Sequence, residues 1–150
     1  MKRFQFPLRP VAVIRAHHEL RAREALAASI RAYTESAEKL AGARARVAEL
    51  ESVLFASRRE SMRASDEAAF FQAYRRECAS EMESLRLFIA SRDSMERSRE
   101  EFLEARRRVK TVDRLEQRAR ETYRLESLRA EQGEIDEIAG RRPVLREVSP

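Results

Sequence analysis

Apolar side chains recur every seven residues over two long stretches of the chain, a spacing typical of helices that pair in a coiled coil. The first series is Leu26, Tyr33, Leu40, Val47 and Leu54, with Ile30 and Ala37 at intermediate positions. The second is Phe88, Met95, Phe102 and Val109, extended upstream by Tyr74, with Cys78 and Leu85 at intermediate positions. We therefore expect two helices, at about 10–57 and about 66–139.

The two series fit a chain that folds back on itself. If paired residue numbers add to about 128, Leu40 lies beside Phe88 and Leu26 lies beside Phe102. One unbroken helix in a parallel dimer also fits, because residues 43–132 contain no Gly or Pro. The matching of layers favours the fold-back, with a polar turn at about 58–65.

The predicted fold class is all-α: a long antiparallel two-helix coiled-coil hairpin with a projecting C-terminal helical end. We expect a single domain over 1–150, with an N-terminal extension at 1–9 and a tail at 140–150. Four arginines fall on intermediate positions of this pattern, where their stems can lie along the apolar strip while the guanidinium groups reach water. They are Arg44, Arg92, Arg99 and Arg106.

Helix two is expected to outrun helix one. In the same pairing Pro10 lies opposite Arg118, so about twenty residues, from Ala119 to Ala139, project beyond the hairpin. Four apolar residues lie on or near the face that this leaves without a partner helix: Tyr123, Leu128, Ile135 and Ile138. Either residues 4–8 fold back over this face or another protein covers it.

The composition argues against a compact enzyme, because 38% of the residues are charged and there are only three glycines. No Gly-rich phosphate loop can be built. The neighbouring His17 and His18 point in different directions on a helix, and Cys78 is the only cysteine. We expect no catalytic residue, no metal and no cofactor.

The apolar runs reach only four residues, far short of the roughly 20 that cross a bilayer, so we expect no transmembrane segment and a cytoplasmic location. Residues 1–23 hold six basic groups against one acid, while the rest of the chain is balanced. Charge confined to one end does not suit duplex binding, and we expect no nucleic-acid partner. A basic coiled-coil nucleic-acid binder remains the alternative from another functional class.

Two segments resemble a known family. Residues 1–11, which read MKRFQFPLRPV, are similar to the opening of the flagellar export protein FliJ, with its Phe-x-Phe-x-Leu pattern after basic residues. Residues 115–139 resemble that family's closing segment, a charged helix with a tyrosine at Tyr123 that ends in Glu-Gln-x-x-Ile-Asp-Glu-x-Ala. The second motif is the more specific.

The resemblance implies an antiparallel coiled-coil stalk of the bacterial type III flagellar export apparatus, similar to the central stalk of rotary ATPases and not itself an enzyme. Its partners would be the hexameric export ATPase of the FliI type, the export gate protein of the FlhA type and export chaperones. It would lie in the cytoplasm, peripherally associated with the inner membrane at the apparatus. A stalk of a virulence-type secretion system is the nearest alternative.

The end that carries both termini is expected to enter the ATPase ring. The candidate ATPase-binding residues are Arg15, His18, Tyr123, Leu128, Ile135 and Ile138. The candidates for the gate contact, early in helix two, are Phe70, Phe71 and Tyr74. One seam position cannot bury both phenylalanines, so we expect at least one ring to face outward. The alternative is that both rings cap the hairpin against Leu54 and Phe55.

Overall fold

The computed structural model describes residues 3–57 and 63–141. These residues form two helices, α1 (Arg9–Ser57) and α2 (Ala64–Gly140), and the described ranges contain no strand. The helices run antiparallel and pack against each other, which confirms the predicted all-α hairpin. The predicted turn lies largely outside the described residues, because 58–62 are not among them.

Local chemistry accounts for the helix ends. Pro10 stands in the first turn of α1, where its missing N–H removes no intrahelical hydrogen bond. Asp66 and Glu67 lie in the first turn of α2, where negative charge is favourable to the helix dipole. The last backbone bond at the end of α2 runs from the Arg141 N–H to the Glu137 carbonyl, at 3.1 Å.

The chain divides into two compact units. The middle unit is His18–Ala105, and the terminal unit consists of Met1–His17 together with Arg106–Pro150. In each unit, a stretch of α1 packs against a stretch of α2. The buried residues among those described are Leu40, Ala43 and Val47 in the middle unit and Val112 in the terminal unit.

The seven-residue series predicted from the sequence do form the seam between the helices, but its intermediate positions are different. Ser29 and Ser36 of α1 and Ser84 and Ser91 of α2 are half-buried, whereas Ile30 and Leu85 are exposed. The assignment of Ile30 and Leu85 to the seam was therefore off by one residue, whereas Ala37 and Cys78 are half-buried beside Ser36 and Glu77. In a heptad, the second seam residue lies either three or four positions after the first. Here it is the residue three positions later, as Ser29 is after Leu26 and Ser36 after Tyr33. Ser29 is also smaller than the other candidate, Ile30.

The register also differs from the predicted one. The Oγ atoms of Ser36 and Ser91 are 2.5 Å apart, and the rings of Tyr33 and Phe88 are centred 5.3 Å apart. Across the hydrogen bonds and ring contacts that join α1 to α2 in the two units, paired residue numbers add to between 121 and 127, with a mean of about 124, below the predicted 128. In the contacts that define the seam a serine meets a serine and an aromatic ring meets an aromatic ring. The serine layer lets the two helices approach closely at that point.

The four arginines predicted for the seam lie outside it. Arg44, Arg92, Arg99 and Arg106 are all exposed. Arg44 reaches Glu81 on the other helix at 3.4 Å, and Arg92 binds the neighbouring Asp93 at 3.0 Å. Each arginine comes one residue after a seam residue, as Ile30 and Leu85 do. The four arginines therefore do not interrupt the seam.

A cysteine pair tests which residues of α2 face the seam. In a Cys78→Ser background, Ser36→Cys with Ser91→Cys is expected to form a disulfide readily, because the two hydroxyl oxygens are already in contact. The matched pair Ser36→Cys with Arg92→Cys, whose second residue follows the seam by one position and is exposed, is expected to cross-link poorly. Non-reducing electrophoresis after mild oxidation compares them. Faster cross-linking of the second pair would contradict the placement of Ser91 in the seam.

The buried seam predicts the cost of a charge within it. Leu40 is 5% exposed, so Leu40→Asp is expected to lower the free energy of unfolding by about 3 kcal/mol or more, through lost apolar burial and an unpaired buried carboxylate. Leu20→Asp, on the same helix at an exposed position, is the control and should cost about 0.5 kcal/mol or less. Urea unfolding followed by circular dichroism measures both. Equal midpoints would show that Leu40 is not part of a buried seam.

Candidate partner-binding surfaces

In the terminal unit, the N-terminal segment folds back onto α2. The Phe4 ring is centred 5.5 Å from that of Tyr123, at an interplanar angle of 54°. The Arg120 guanidinium lies 5.6 Å from the centre of the Phe4 ring and also binds Glu116 at 2.6 Å. Aromatic and cation–π contacts of this kind stabilise a segment that has no helix of its own. Phe4 therefore covers Tyr123, the first of the four apolar residues predicted to lack a partner helix.

The other three apolar residues stay exposed. Leu128, Ile135 and Ile138 are 51%, 59% and 67% exposed, respectively. Leu128 lies five residues after Tyr123, a rotation of about 140° around the helix, so the two side chains do not share a face. Leu128 and Ile135 are seven residues apart and do share one, with Ile138 close to it. We call Leu128, Ile135 and Ile138 the distal stripe.

The two remaining stalk-end candidates differ in environment. Arg15 is half-buried, and its Nη1 donates a hydrogen bond to the Arg108 carbonyl at 3.1 Å, which ties α1 to α2 within the terminal unit. His18 is exposed and belongs to the middle unit. The structure brings Tyr123 together with Phe4 and Arg15 together with Arg108. It does not gather the six candidates into one cluster.

The three gate candidates lie at the start of α2. Phe70 is half-buried and Phe71 is 41% exposed, with their rings edge to face at 6.3 Å. This confirms that at least one ring faces outward. Phe55, which the alternative placed in a covered cap, is exposed as well. Phe71 is therefore the phenylalanine of the pair that a partner can reach.

Tyr74 joins the two helices instead of facing a partner. Its hydroxyl donates a hydrogen bond to Glu51 Oε1 of α1 at 2.9 Å. The bond to the Glu51 carboxylate, with a second interaction with the Cys78 thiol, raises the pKa of Tyr74 to about 12. Both interactions favour the neutral phenol over the phenolate.

A second apolar stripe lies on one side of the middle unit. Because α2 runs opposite to α1, residues that follow the seam by one position lie on the same side of the pair in both helices. Several large apolar residues stand at such positions and are exposed: Ile30 and Phe55 of α1, and Phe71, Met82, Leu85 and Ile89 of α2. We call these six residues the lateral face. They explain why the sequence pattern suggested a seam one residue away from the real one.

The opposite side of the middle unit is more polar. A shallow groove of about 240 Å³ runs between the helices there. Its lining is Ala32, Glu35, Ser36, Lys39, Ser84, Leu87 and Ser91. Leu87 is the one large apolar side chain in that lining, so the two sides of the unit differ sharply in character.

Residues 3–57 and 63–141 contain neither a candidate metal site nor a candidate membrane span. No three His, Cys, Asp or Glu side chains in these ranges converge on a point that could hold a metal ion. None of the described helices combines the length and the apolar character needed to span a bilayer.

Comparison with protein families agrees with this architecture along almost the whole chain. A family model described as flagellar FliJ protein matches residues 4–147. The chain belongs to the FliJ family. No curated protein and no solved structure gave a significant match. FliJ proteins are components of flagellar protein export, and this is the coarse function that the family match gives to the chain.

The sequence pattern missed two features of this FliJ-family chain. The pattern assigns two residues of the lateral face, Ile30 and Leu85, to the seam, and a count of large residues at the three-residue and four-residue spacings shows two competing stripes. The pattern also does not show that Tyr123 is covered by Phe4 while the distal stripe is exposed to solvent. The signal for this difference was the five-residue step from Tyr123 to Leu128, which does not fit a heptad.

The Tyr74 bond predicts a pH dependence. The pKa of Tyr74 is about 12 in the folded chain and about 10 when unfolded, so the bond stabilises the fold below pH about 10 and is lost as the pH rises towards 12. In a Tyr33→Phe, Tyr123→Phe background, near-ultraviolet absorbance follows the Tyr74 phenolate alone. Glu51→Gln is expected to lower its titration midpoint. An unchanged midpoint would show that Glu51 does not hold the hydroxyl.

Proposed function

We propose that this chain is the non-catalytic stalk of the flagellar type III export apparatus. It couples the hexameric export ATPase ring of the FliI type to the export gate of the FlhA type and takes part in handling export chaperones. The family match over 4–147 carries the assignment to flagellar export, and favours it over a virulence-type system. In this role the chain works at the cytoplasmic face of the inner membrane, held there by the apparatus.

The ATPase contact rests on the distal stripe. Three large aliphatic side chains lie more than half exposed on one helix, a pattern that usually marks a protein contact. Tyr123 supports the base of this helix by holding Phe4, and Arg15 ties α1 to α2 beside Arg108. In the proposed mechanism the distal stripe packs against the ring. The contacts of Phe4 with Tyr123 and of Arg15 with Arg108 hold the terminal unit together, and His18 is an exposed side chain that the ring can also contact. The chain contributes mechanical and regulatory coupling, and the ATPase performs the chemistry.

The gate contact rests on the lateral face. On α2, Phe71 is the first residue of this face, and Met82, Leu85 and Ile89 follow it at helical spacing. A partner with its own apolar helix or groove can bury such a stripe. Phe70 and Tyr74 are proposed to support it, since Phe70 packs on Phe71 and Tyr74 holds α2 to α1.

The ATPase proposal predicts the effect of charge on the distal stripe. The steady-state rate of the cognate export ATPase is measured alone, with the wild-type chain and with the Leu128→Asp, Ile135→Asp variant. We expect the wild type to stimulate hydrolysis and the variant to lose most of the stimulation, because buried carboxylates disfavour packing against the ring. A truncation before Tyr123 is a coarser test, because it also removes the residue that holds Phe4.

Leu87→Asp with Leu103→Asp provides the matched control, since both residues are exposed leucines of the middle unit. Circular dichroism establishes that both double variants remain helical. Retained stimulation in the control and loss in the distal variant support the proposal. Full stimulation by the distal variant would exclude the stripe as the ATPase contact.

The gate proposal predicts a separable defect. Phe71→Ala with Met82→Ala is expected to weaken binding of the gate protein's cytoplasmic domain about tenfold or more, as for residues central to an interface. ATPase stimulation should stay intact. Leu87→Ala, on the polar side of the same unit, is the control. Isothermal titration measures the binding, and equal loss of gate binding and ATPase stimulation would point to misfolding instead.

A further inference from the structure

The fold concentrates positive charge that is scattered in the sequence. Within the terminal unit, residues 3–17 and 106–120 together carry ten Arg and Lys residues against only Asp113 and Glu116. The net charge of these two segments is therefore +8. The chain as a whole is only +5, so the rest of it is slightly acidic. The expectation that the excess charge sits in the first 23 residues captured less than half of this cluster.

The charge gathers because the helices are antiparallel. The hydrogen bond from Arg15 to the Arg108 carbonyl sets the N-terminal arginines beside the run at 106–108. Further basic residues follow along α2 at close to one-turn intervals: Lys110, Arg114 and Arg118. Glu116 is engaged with Arg120 at 2.6 Å, which neutralises one of the two acids. We call residues 3–17 and 106–120 the basic patch.

Aliphatic side chains are exposed within the basic patch. Val11, Ile14 and Leu115 are 37%, 56% and 41% exposed, respectively. Each precedes a seam position by one residue, so in an antiparallel pair they lie on the same side. The groove of the middle unit follows the same rule, since Ala32, Lys39 and Leu87 precede seam residues and line one side. The terminal unit therefore presents an aliphatic cluster with arginines around it.

This combination of groups selects among anionic partners. Single-stranded nucleic acid binds through its phosphates and through stacking of its bases on aromatic rings. In the basic patch, the Phe4 ring already contacts Tyr123 and Arg120. Exposed aliphatic groups gain nothing on a phosphate backbone. At the surface of an anionic bilayer they enter the boundary between headgroups and acyl chains while the arginines bind lipid phosphates.

We propose that the basic patch of the terminal unit binds the surface of anionic phospholipid membranes directly. Its basic side chains contact the lipid phosphates, and Val11, Ile14 and Leu115 insert between the headgroups. The chain has this affinity without the ATPase or the gate, so the inference is separate from the proposed stalk function. It gives the molecule its own means of concentrating at the membrane.

Vesicle co-sedimentation of the full chain at physiological salt tests the proposal. One set of vesicles is phosphatidylcholine alone, and the other has equal parts of phosphatidylcholine and phosphatidylglycerol. The chain is expected to sediment with the anionic vesicles only. Removal of three charges by Lys110→Gln, Arg114→Gln and Arg118→Gln should weaken the partition about a hundredfold, since each basic residue near an anionic surface contributes roughly a factor of five. No sedimentation of the wild type with anionic vesicles overturns the proposal.

The control removes as many charges from the middle unit, through Arg75→Gln, Arg76→Gln and Arg97→Gln, and should keep most of the binding. Equal loss in both triple variants would mean that net charge alone drives the association, and would overturn a defined patch. Ile14→Asn with Leu115→Gln tests insertion and should weaken the partition about tenfold or more. No effect of this pair would overturn the aliphatic contribution. Circular dichroism verifies the fold of each variant.

Two further measurements separate other anionic partners. Tighter binding of a short DNA duplex than of the anionic vesicles at the same salt would assign the patch to nucleic acid and overturn the proposal. ATPase stimulation is measured with the Lys110, Arg114 and Arg118 triple variant. If that variant keeps vesicle binding but loses stimulation, the three basic side chains contact an acidic surface of the ATPase, and the membrane proposal is overturned. Loss of vesicle binding with stimulation intact supports it and leaves the stalk proposal standing.

Discussion

The close approach of two antiparallel helices along a narrow seam is the constraint on which the other features depend. The seam is narrow where small side chains lie between the helices, as Ser36 and Ser91 do, and ring contacts such as that of Tyr33 with Phe88 fill it elsewhere. The contact between Ser36 and Ser91 at 2.5 Å marks how near the backbones come. With so little volume enclosed, few residues are buried, and Leu40, Ala43, Val47 and Val112 are those among the described residues. Stability therefore comes from the repetition of modest contacts along the pair and not from a compact core.

A thin seam leaves most of each helix surface exposed, and this exposure provides the surfaces for function. A chain with a central core would have buried Phe71, Met82 and Leu85, whereas here they form a lateral face open to a partner. The distal stripe arises for a different reason, since α2 extends beyond the point where residues 3–8 cover it. The Phe4 contact with Tyr123 and Arg120 marks that limit, and Leu128, Ile135 and Ile138 lie past it. In the proposed stalk role, the seam holds the two helices together and the exposed surfaces bind the partners.

Charge follows the same logic. Antiparallel pairing places the first residues of α1 beside the middle of α2, so two moderately basic segments become one strongly basic patch. In the middle unit the charges instead pair locally or across the seam, as Arg46 does with Glu77 at 2.9 Å and Lys39 with Glu35 at 2.7 Å. Such exposed pairs contribute little stability, but they keep the long helices solvated and the unit nearly neutral. The basic patch contains only two acids, Asp113 and Glu116, against ten basic residues, so it presents a net positive charge to an anionic surface.

The sequence by itself determined the helices, the seven-residue series that line the seam and the family of the chain. These follow from local periodicity and from motifs at the two ends, which a single helix already carries. The matching of layers favoured antiparallel pairing but a parallel dimer also fitted the sequence, so the tertiary structure decided between the two. Only the tertiary structure decided which intermediate position completes the seam, since Leu26 and Tyr33 can be joined through Ser29 or through Ile30 with equal regularity. It also decided the register, the fold-back of Phe4 onto Tyr123 and the gathering of arginines in the terminal unit. The physical reason is that helix periodicity is fixed by neighbours along the chain, whereas each of these choices depends on how closely a distant side chain lets the other helix approach.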